Sequence, residues 1–447
     1  MADAMKPTNV LILGAAGRDF HNFNCLYRDH AAFHVVGFTA TQIPNIEGRV
    51  YPPALAGRLY PQGIPIFPED ELESLIRSHR VDLAVFSYSD VPYAELMHLS
   101  ARANVAGADF ALIAPRRTML PATKPVIAVC AVRTGCGKSQ TTRAIAATLQ
   151  RFGKRIAVVR HPMPYGDLSR QVCQRYAELA DMDRHECTIE EREEYELHIR
   201  AGNLLFAGVD YQKILDAAQA EADVILWDGG NNDTPFFKPD LMITVADAHR
   251  PGHEAGYYPG ETNFRLADVI LINKINTARA EDVALIEANA RRMNPKATLL
   301  RADSVIACEH PDAIRGKRVL VVEDGPTVTH GEMPYGAAHV AARQFGAAEI
   351  VDPRPFAAGS IRNVFARYTH LRDVLPAMGY GREQMADLQA TINATPCDLV
   401  LVGTPMDLVK LLRLNRPAMR IGYDLDERTA TAIDNLVRDR VRSGPQG

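Results

Sequence analysis

Val126-Ile-Ala-Val-Cys-Ala-Val132, then Arg133-Thr-Gly-Cys-Gly-Lys-Ser139, then Gln140-Thr-Thr-Arg143: this stretch decides the fold of the chain. The first seven residues are apolar and rich in β-branched side chains, the pattern of a parallel strand buried on both faces. The next seven form a polar turn with glycine at 135 and 137. From Thr141 to Phe152, the spacing of Ala144, Ile145, Ala147, Thr148 and Leu149 predicts a helix with one apolar face. Strand, glycine turn, Gly-Lys-Ser and helix together make a P-loop. Glycine lets backbone N–H groups close round a phosphate, and the helix N-terminus adds partial positive charge. On this reading Thr134, Gly135, Cys136, Gly137, Lys138, Ser139 and Gln140 hold a nucleotide. Lys138 reaches the β- and γ-phosphates, and the Ser139 hydroxyl ligates Mg²⁺. The full pattern has glycine where this chain has Val132. Arg133 stands where one P-loop class carries a second lysine. It either stabilises the transferring phosphoryl group or is an ordinary surface arginine. Cys136 is either an oxidation-sensitive thiol or a small residue that fits the turn.

Working outward, Ala222–Trp227 is a second apolar strand, ending in Asp228-Gly-Gly-Asn-Asn-Asp233. An apolar strand ending in Asp beside a P-loop is the Walker B arrangement, in which Asp228 holds Mg²⁺ and serves catalysis. The strand Arg155–Val159 delivers Arg160-His-Pro-Met-Pro-Tyr-Gly-Asp167 to the same sheet edge, making Asp167 a further metal ligand candidate. The acidic stretch 181–196 reads as a solvated helix face or as a loop lending carboxylates to Mg²⁺. Leu241–Ala246 leads into Asp247-Ala-His-Arg-Pro-Gly-His-Glu254. Asp268–Ile272 ends in Asn273-Lys274-Ile275-Asn276, close to the Asn-Lys-x-Asp motif that reads guanine in GTPases. With Asn276 in place of the carboxylate, the charge-assisted pairing that selects guanine is lost. Asn273, Lys274 and Asn276 are therefore expected to seat a purine, ATP at least as well as GTP.

Before the P-loop, Val10–Leu13, Gly14-Ala-Ala-Gly17, a helix through Asp29 and the strand Val35–Thr39 form a Rossmann-like βαβ start. The glycine fingerprint is incomplete and the second strand ends without an acidic residue. A substrate anion at the Gly17 helix start is favoured over a nicotinamide nucleotide. Residues 44–68 read as a long loop, Glu69–His79 and Tyr93–Ala103 as helices, and Val81–Phe86 and Phe110–Ile113 as strands. Ser87-Tyr-Ser-Asp90 falls at a strand's C-terminal end, where open α/β sheets bind ligands. After the P-loop unit, Arg318–Glu323 opens a third α/β unit and leads into Asp324-Gly-Pro-Thr-Val-Thr-His-Gly331, an anion-site loop containing His330. Residues 362–378 read as helix and Asp398–Val402 as a strand. The expected division is 1–124, a Rossmann-like α/β unit; 125–312, a P-loop unit with a mostly parallel sheet; and 313–447, a C-terminal α/β unit.

The totals agree with a soluble globular protein. The chain has 447 residues, 47% hydrophobic and 23% charged, with a formal charge of −4. That length supports several cores, and the charge gives no general pull toward nucleic acid or anionic membrane. No apolar run reaches membrane-spanning length, and a cytoplasmic location is expected. Seven cysteines lack Cys-x-x-Cys pairs, which argues against a disulfide framework and a zinc site.

The motifs in this order resemble the cyclic 2,3-diphosphoglycerate synthetase family, whose bacterial relatives are often labelled predicted GTPases. They are Gly-Ala-Ala-Gly-Arg-Asp-Phe-His-Asn-Phe-Asn, the P-loop, Val-Arg-His-Pro-Met-Pro-Tyr-Gly-Asp-Leu, Asp-Gly-Gly-Asn-Asn-Asp, Arg-Pro-Gly-His-Glu, Asn-Lys-Ile-Asn and Glu-Asp-Gly-Pro-Thr-Val-Thr-His-Gly. The resemblance covers the chain to about residue 430. It implies ATP-dependent phosphorylation of an anionic, phosphorylated acceptor, closure of an intramolecular anhydride, Mg²⁺ and a homodimer. Arg18, Arg160, His161, Arg250, His253 and His330 are the candidate counter-charges for that acceptor. Lys138, Arg133 and Asp228 are the expected catalytic set. A competing reading is a regulatory P-loop switch that hydrolyses nucleotide without a second substrate.

Overall fold

The strand Val126–Ala131 is buried from end to end in the computed structural model, which describes residues 6–41, 46–163, 166–230, 233–329, 331–378, 382–404 and 407–443. Its alternate residues serve two cores. Ile127, Val129 and Ala131 pack with Ile145 and Leu149 of the P-loop helix. Val126, Ala128 and Cys130 pack on the other face with Ile214, Leu215, Trp227 and Phe236. Both faces are dry, which is why the strand reads as one continuous apolar run.

This strand lies inside an eight-stranded sheet. The order is Gln174–Tyr176, Leu204–Ala207, Ile156–Arg160, Val224–Gly229, Val126–Ala131, Leu241–Asp247, Val269–Asn273, Thr298–Arg301. Only the first pair is antiparallel. Parallel strands bring their C-terminal ends to one edge, so Arg160, Asp228, the P-loop, Asp247 and Asn273 share it.

A six-stranded sheet precedes it, in the order Val50–Tyr51, Ile64–Pro68, Phe33–Ala40, Thr8–Leu13, Leu83–Phe86, Asp109–Leu112. Residues 44–68, expected as a loop, contain the first two of these strands and a helical turn at Pro53–Ala56. Tyr51 and Ile64 supply the reason: both are fully buried, Tyr51 stacked against Phe20. A short antiparallel ribbon, Val91–Pro92 with Tyr257–Tyr258, joins this unit to the P-loop unit.

The third sheet runs Ser304–Cys308, Ala418–Leu425, Leu399–Gly403, Arg318–Asp324, with Glu349–Ile350 and Val374–Ala377 both paired to Arg318–Asp324. The helix expected over 362–378 ends at Arg367, and Val374–Ala377 is a strand. Pro376 cannot sit in a helix interior, and Val374 and Leu375 fill the third core. The last helix, Glu427–Ser443, returns to the central unit. Its Ile433 and Val437 join the P-loop core, and Arg151 donates to Asp434 at 2.6 Å.

Candidate active site

The P-loop helix begins at Lys138, earlier than its apolar periodicity suggests. Its N-cap is Gly137 with φ 107°, and no side chain caps it, so its first amides are left for a ligand. Glycine is required there. A Cβ at 137 would lie 2.1 Å from Asn273 Nδ2 in a backbone region that L side chains avoid.

Three residues from the next two strands brace the loop from behind. Asn273 Nδ2 donates to the Cys136 carbonyl at 2.8 Å, and Lys274 Nζ to the Gly135 carbonyl at 2.7 Å. Arg250 Nη2 donates to the Thr134 carbonyl at 2.7 Å. Asp247, fully buried, holds both cations: Lys274 at 2.7 Å and Arg250 at 3.0 Å. Burial alone would raise the Asp247 carboxyl, but Lys274 and Arg250 override it and bring it to about 2. Three of the loop's carbonyls are thus held from behind.

Asp228 is the electrostatic centre. Its Oδ1 accepts from Lys138 Nζ at 2.8 Å and from the Thr142 hydroxyl at 2.7 Å. Its Oδ2 accepts from Arg160 Nη1 at 2.7 Å and lies 3.3 Å from His198 Nε2. Burial works against the charge, but Arg160 and Lys138 together hold this carboxyl well below its ordinary range. Glu194 takes the other end of Arg160. The acidic stretch is a helix, Ile189–Arg200, whose inward face brings Glu194 and His198 to the site. Both oxygens of Asp228 are thus engaged in this structure, by Lys138, Thr142, Arg160 and His198. Ser139 is exposed in the cleft, where its hydroxyl can meet a metal.

The remaining expected residues divide. Arg133, 3% exposed, donates from Nε to Asp90 at 2.6 Å, lies 3.1 Å from His253 Nδ1 and stacks on Tyr257 at 3.7 Å. It is a buried fastener to the first unit, and not a surface arginine. His253 is held down to about 4 by burial and by Arg133 and Arg250, so it carries no charge for a phosphate at neutral pH. His161 is also neutral, through burial and the nearby Arg18; its Nδ1 meets the Tyr211 hydroxyl at 2.6 Å. Arg18 is engaged at every nitrogen, by Asp233 at 2.9 Å, Thr118 at 3.2 Å and Thr234, and lies over Phe236. Gln140 is buried against Ser304, its Oε1 accepting from that hydroxyl at 3.2 Å.

Two of the expected residues are turned away from the places expected for them. Asp167 is exposed, turns back to the Ser169 amide at 2.9 Å and is not among the cleft residues, so it is not a metal ligand in this arrangement. Asn276 does not face a base. Its Nδ2 donates to the Ser304 carbonyl at 3.1 Å and its Oδ1 accepts the Ser304 amide at 3.1 Å, a two-point clasp on the strand that opens the third sheet. His330 lies outside the described residues.

All three sheets open on one cleft of about 2440 Å³. The third unit's loop 324–331 was expected as an anion site; that Glu323 also lines the cleft was not read from the sequence. Thr327 is so near the P-loop that a Cβ at Gly135 would lie 2.9 Å from its methyl group, and Arg250 Nη1 donates to the Gly331 carbonyl at 2.7 Å. Glu323 and Asp324, at the end of the strand Arg318–Asp324, line the wall facing the P-loop. Burial pushes the Glu323 carboxyl up to about 8. Also missed were Thr142, Glu194, His198 and Asp247. Of these, Asp247 had a signal, being a second aspartate at an apolar strand end beside the P-loop.

No protein-family model matches the chain. It is 59% identical over 422 residues, 94% of each chain, to the arginine synthetase ArcE of Thermococcus kodakarensis. Among solved structures it is similar to LpxK from Aquifex aeolicus in complex with ATP, at 12% identity over 72% of this chain and 90% of that one, with a TM-score of 0.42. It is also similar to the hydrogenase maturation factor HypB from Archaeoglobus fulgidus, at 18% identity over 40% of this chain and 82% of that one, with a TM-score of 0.26.

Proposed function

The chain belongs to the family of the arginine synthetase ArcE, and from that premise we propose that it is an ATP-dependent synthetase that forms arginine. Arginine differs from its ureido counterpart, citrulline, by one nitrogen in place of oxygen at the terminal carbon. That oxygen is a poor leaving group. Transfer of the γ-phosphoryl group of ATP to it gives an O-phosphorylated isourea, from which phosphate departs as nitrogen arrives. The nitrogen is read as free ammonia. Release from glutamine calls for an activated cysteine, and burial raises all seven cysteine thiols above their ordinary value.

The observation that carries the reading is the shared cleft, with the P-loop on one side and the carboxyl-bearing strand end of the third sheet on the other. Two substrates must meet there. Lys138 is poised against Asp228 and is the charge that would follow the transferring phosphoryl group. The P-loop amides from Gly135 to Gln140 would hold the nucleotide, and Ser139 would hold Mg²⁺ together with its phosphates. The metal supplies neutralisation of phosphate charge. Arg133, by tying Asp90 to the loop, positions the first unit against the nucleotide.

Closure of an anhydride in 2,3-diphosphoglycerate is the second reading, favoured by the ordered motif set. It shares the phosphoryl-transfer half of the chemistry. The charge balance favours the first: Arg18, Arg160 and Arg250 are already paired with carboxylates, and His161 is neutral. A ureido amino acid asks far less positive charge of its site than a bisphosphorylated acid. The test is ATP turnover with citrulline and ammonium, arginine being measured directly, beside turnover with 2,3-diphosphoglycerate followed by phosphorus NMR. Arginine formed in step with phosphate supports the proposal. A cyclic phosphoanhydride, or hydrolysis indifferent to both acceptors, refutes it. Lys138→Ala should abolish whichever turnover is found.

A further inference from the structure

Glu323 meets the first amides of a helix through one oxygen and keeps the other without a partner. It ends the strand Arg318–Asp324, which lies inside the third sheet, and is 1% exposed while lining the cleft. The helix Ala337–Gln344 starts against it: the His339 amide donates to Oε1 at 2.8 Å, and the Gly336 and Ala338 amides also face the carboxyl. Its other oxygen, Oε2, has no hydrogen-bond partner. Backbone closes on that oxygen from two sides, since a Cβ at Gly336 or Gly403 would lie 2.5 or 2.4 Å from it. The titratable groups around it are Asp324 on its own strand, Tyr335 and His339 from the segment leading into and along the helix, and Tyr423 from the neighbouring strand. None is a cation at neutral pH, because burial holds His339 below its ordinary value. Among the described residues no ion pair reaches Glu323. A buried carboxyl without a counter-ion stays protonated, and it ionises only when a cation arrives beside it.

We propose that Glu323 is the subsite for ammonium and the base that converts it to the attacking ammonia. The inference rests on the arginine-forming reading. Ammonium is the smallest cation that can donate a hydrogen bond to this oxygen, and it supplies the missing positive charge. Burial keeps the Glu323 carboxyl largely protonated before ammonium arrives; as ammonium binds beside it, that proton leaves to solvent, and the resulting carboxylate takes one proton from ammonium, giving ammonia and a neutral carboxyl. The ammonia lone pair forms the new C–N bond at the isourea carbon. The C–O bond breaks, and its electron pair leaves with phosphate, which takes the proton shed by the new nitrogen. Guanidinium and hydrogen phosphate result, and Glu323 ends protonated, as it began. A carboxyl raised toward the basicity of ammonia suits this transfer better than an ordinary one, which is too weak a base for ammonium.

The test compares two nucleophiles in wild type and Glu323→Gln. Ammonia is mostly protonated at neutral pH, whereas hydroxylamine is mostly free base and needs no proton removed before attack. With ATP and citrulline, the variant should lose about 10²–10⁴-fold in kcat/KM for ammonium while hydroxylamine turnover to hydroxyarginine stays within about threefold of wild type. Unchanged ammonium kinetics in the variant would overturn the base role and leave the arginine-forming reading intact. Equal loss with both nucleophiles would also overturn it, because a merely structural role moves both. Failure of wild type to form arginine from ammonium would overturn the reading and this inference together.

Discussion

Asp228→Asn removes one negative charge from beneath two buried cations, Lys138 and Arg160, whose side chains are 13% and 3% exposed. In the variant they share only Glu194, on the far side of Arg160. Taking one partner from a buried ion pair costs about 3–5 kcal/mol, because the other charge stays desolvated. For a unit of this size that corresponds to a fall of roughly 6–20 °C in the unfolding midpoint at pH 7. The pH dependence has a definite sign. The folded Asp228 carboxyl lies well below its ordinary value, so its contribution is full above the unfolded value and disappears as pH falls through the folded one. The gap between wild type and variant therefore narrows in strong acid. Nucleotide gives a second signature. Its phosphates supply negative charge beside Lys138, so a non-hydrolysable ATP analogue should raise the variant's midpoint more than the wild type's. Thermal unfolding with and without the analogue measures both effects. A midpoint change under about 3 °C, or equal analogue shifts in the two proteins, would refute the view of Asp228 as the counter-ion that holds Lys138 and Arg160.

Asn276→Asp places a second carboxylate oxygen against the Ser304 carbonyl, and should cost about 1–2 kcal/mol without moving the ratio of ATP to GTP efficiencies; a shift toward GTP would restore the base-reading role. Asp247 titrates at about 2 when folded against an ordinary 3.8, so it stabilises above pH ~4 and loses roughly 2 kcal/mol as pH falls toward 2. The stability difference between wild type and Asp247→Asn should shrink over that interval in acid unfolding curves. Glu323 runs the other way. Raised from 4.5 to about 8, it favours the protonated form, so folding loses stability as pH rises between those values. Glu323→Gln should therefore gain stability relative to wild type between pH 5 and pH 9, and a constant midpoint difference would mean that the carboxyl is not held protonated by its surroundings.

The P-loop was legible because two signals coincide there: a strand dry on both faces and a turn whose chemistry admits few alternatives. The Walker B strand was legible for the same reason, but the task of its aspartate was not. A sequence shows that Asp228, Lys138 and Arg160 are charged; only the parallel register of three strands shows that they neutralise one another. The clasp of Asn276 on Ser304 was not legible, because an Asn-Lys-x-Asn string looks the same whether its last amide faces a purine or clasps a backbone. Arg18 was expected at the substrate and Arg133 at the transferring phosphoryl group because arginine suits phosphate, and that same fork equally suits Asp233 and Asp90. These pairings bear on the acceptor. With Arg18, Arg160 and Arg250 balanced, an acceptor bearing several negative charges would have to break their ion pairs to use them. A ureido amino acid asks for polar groups still unpaired in the cleft wall, and Glu323 Oε2 is such a group. Its strand ends in Glu-Asp, which says nothing by itself; burial, an unpaired oxygen and a place across from the P-loop give it a chemical part, and none of these can be read before the third sheet is folded.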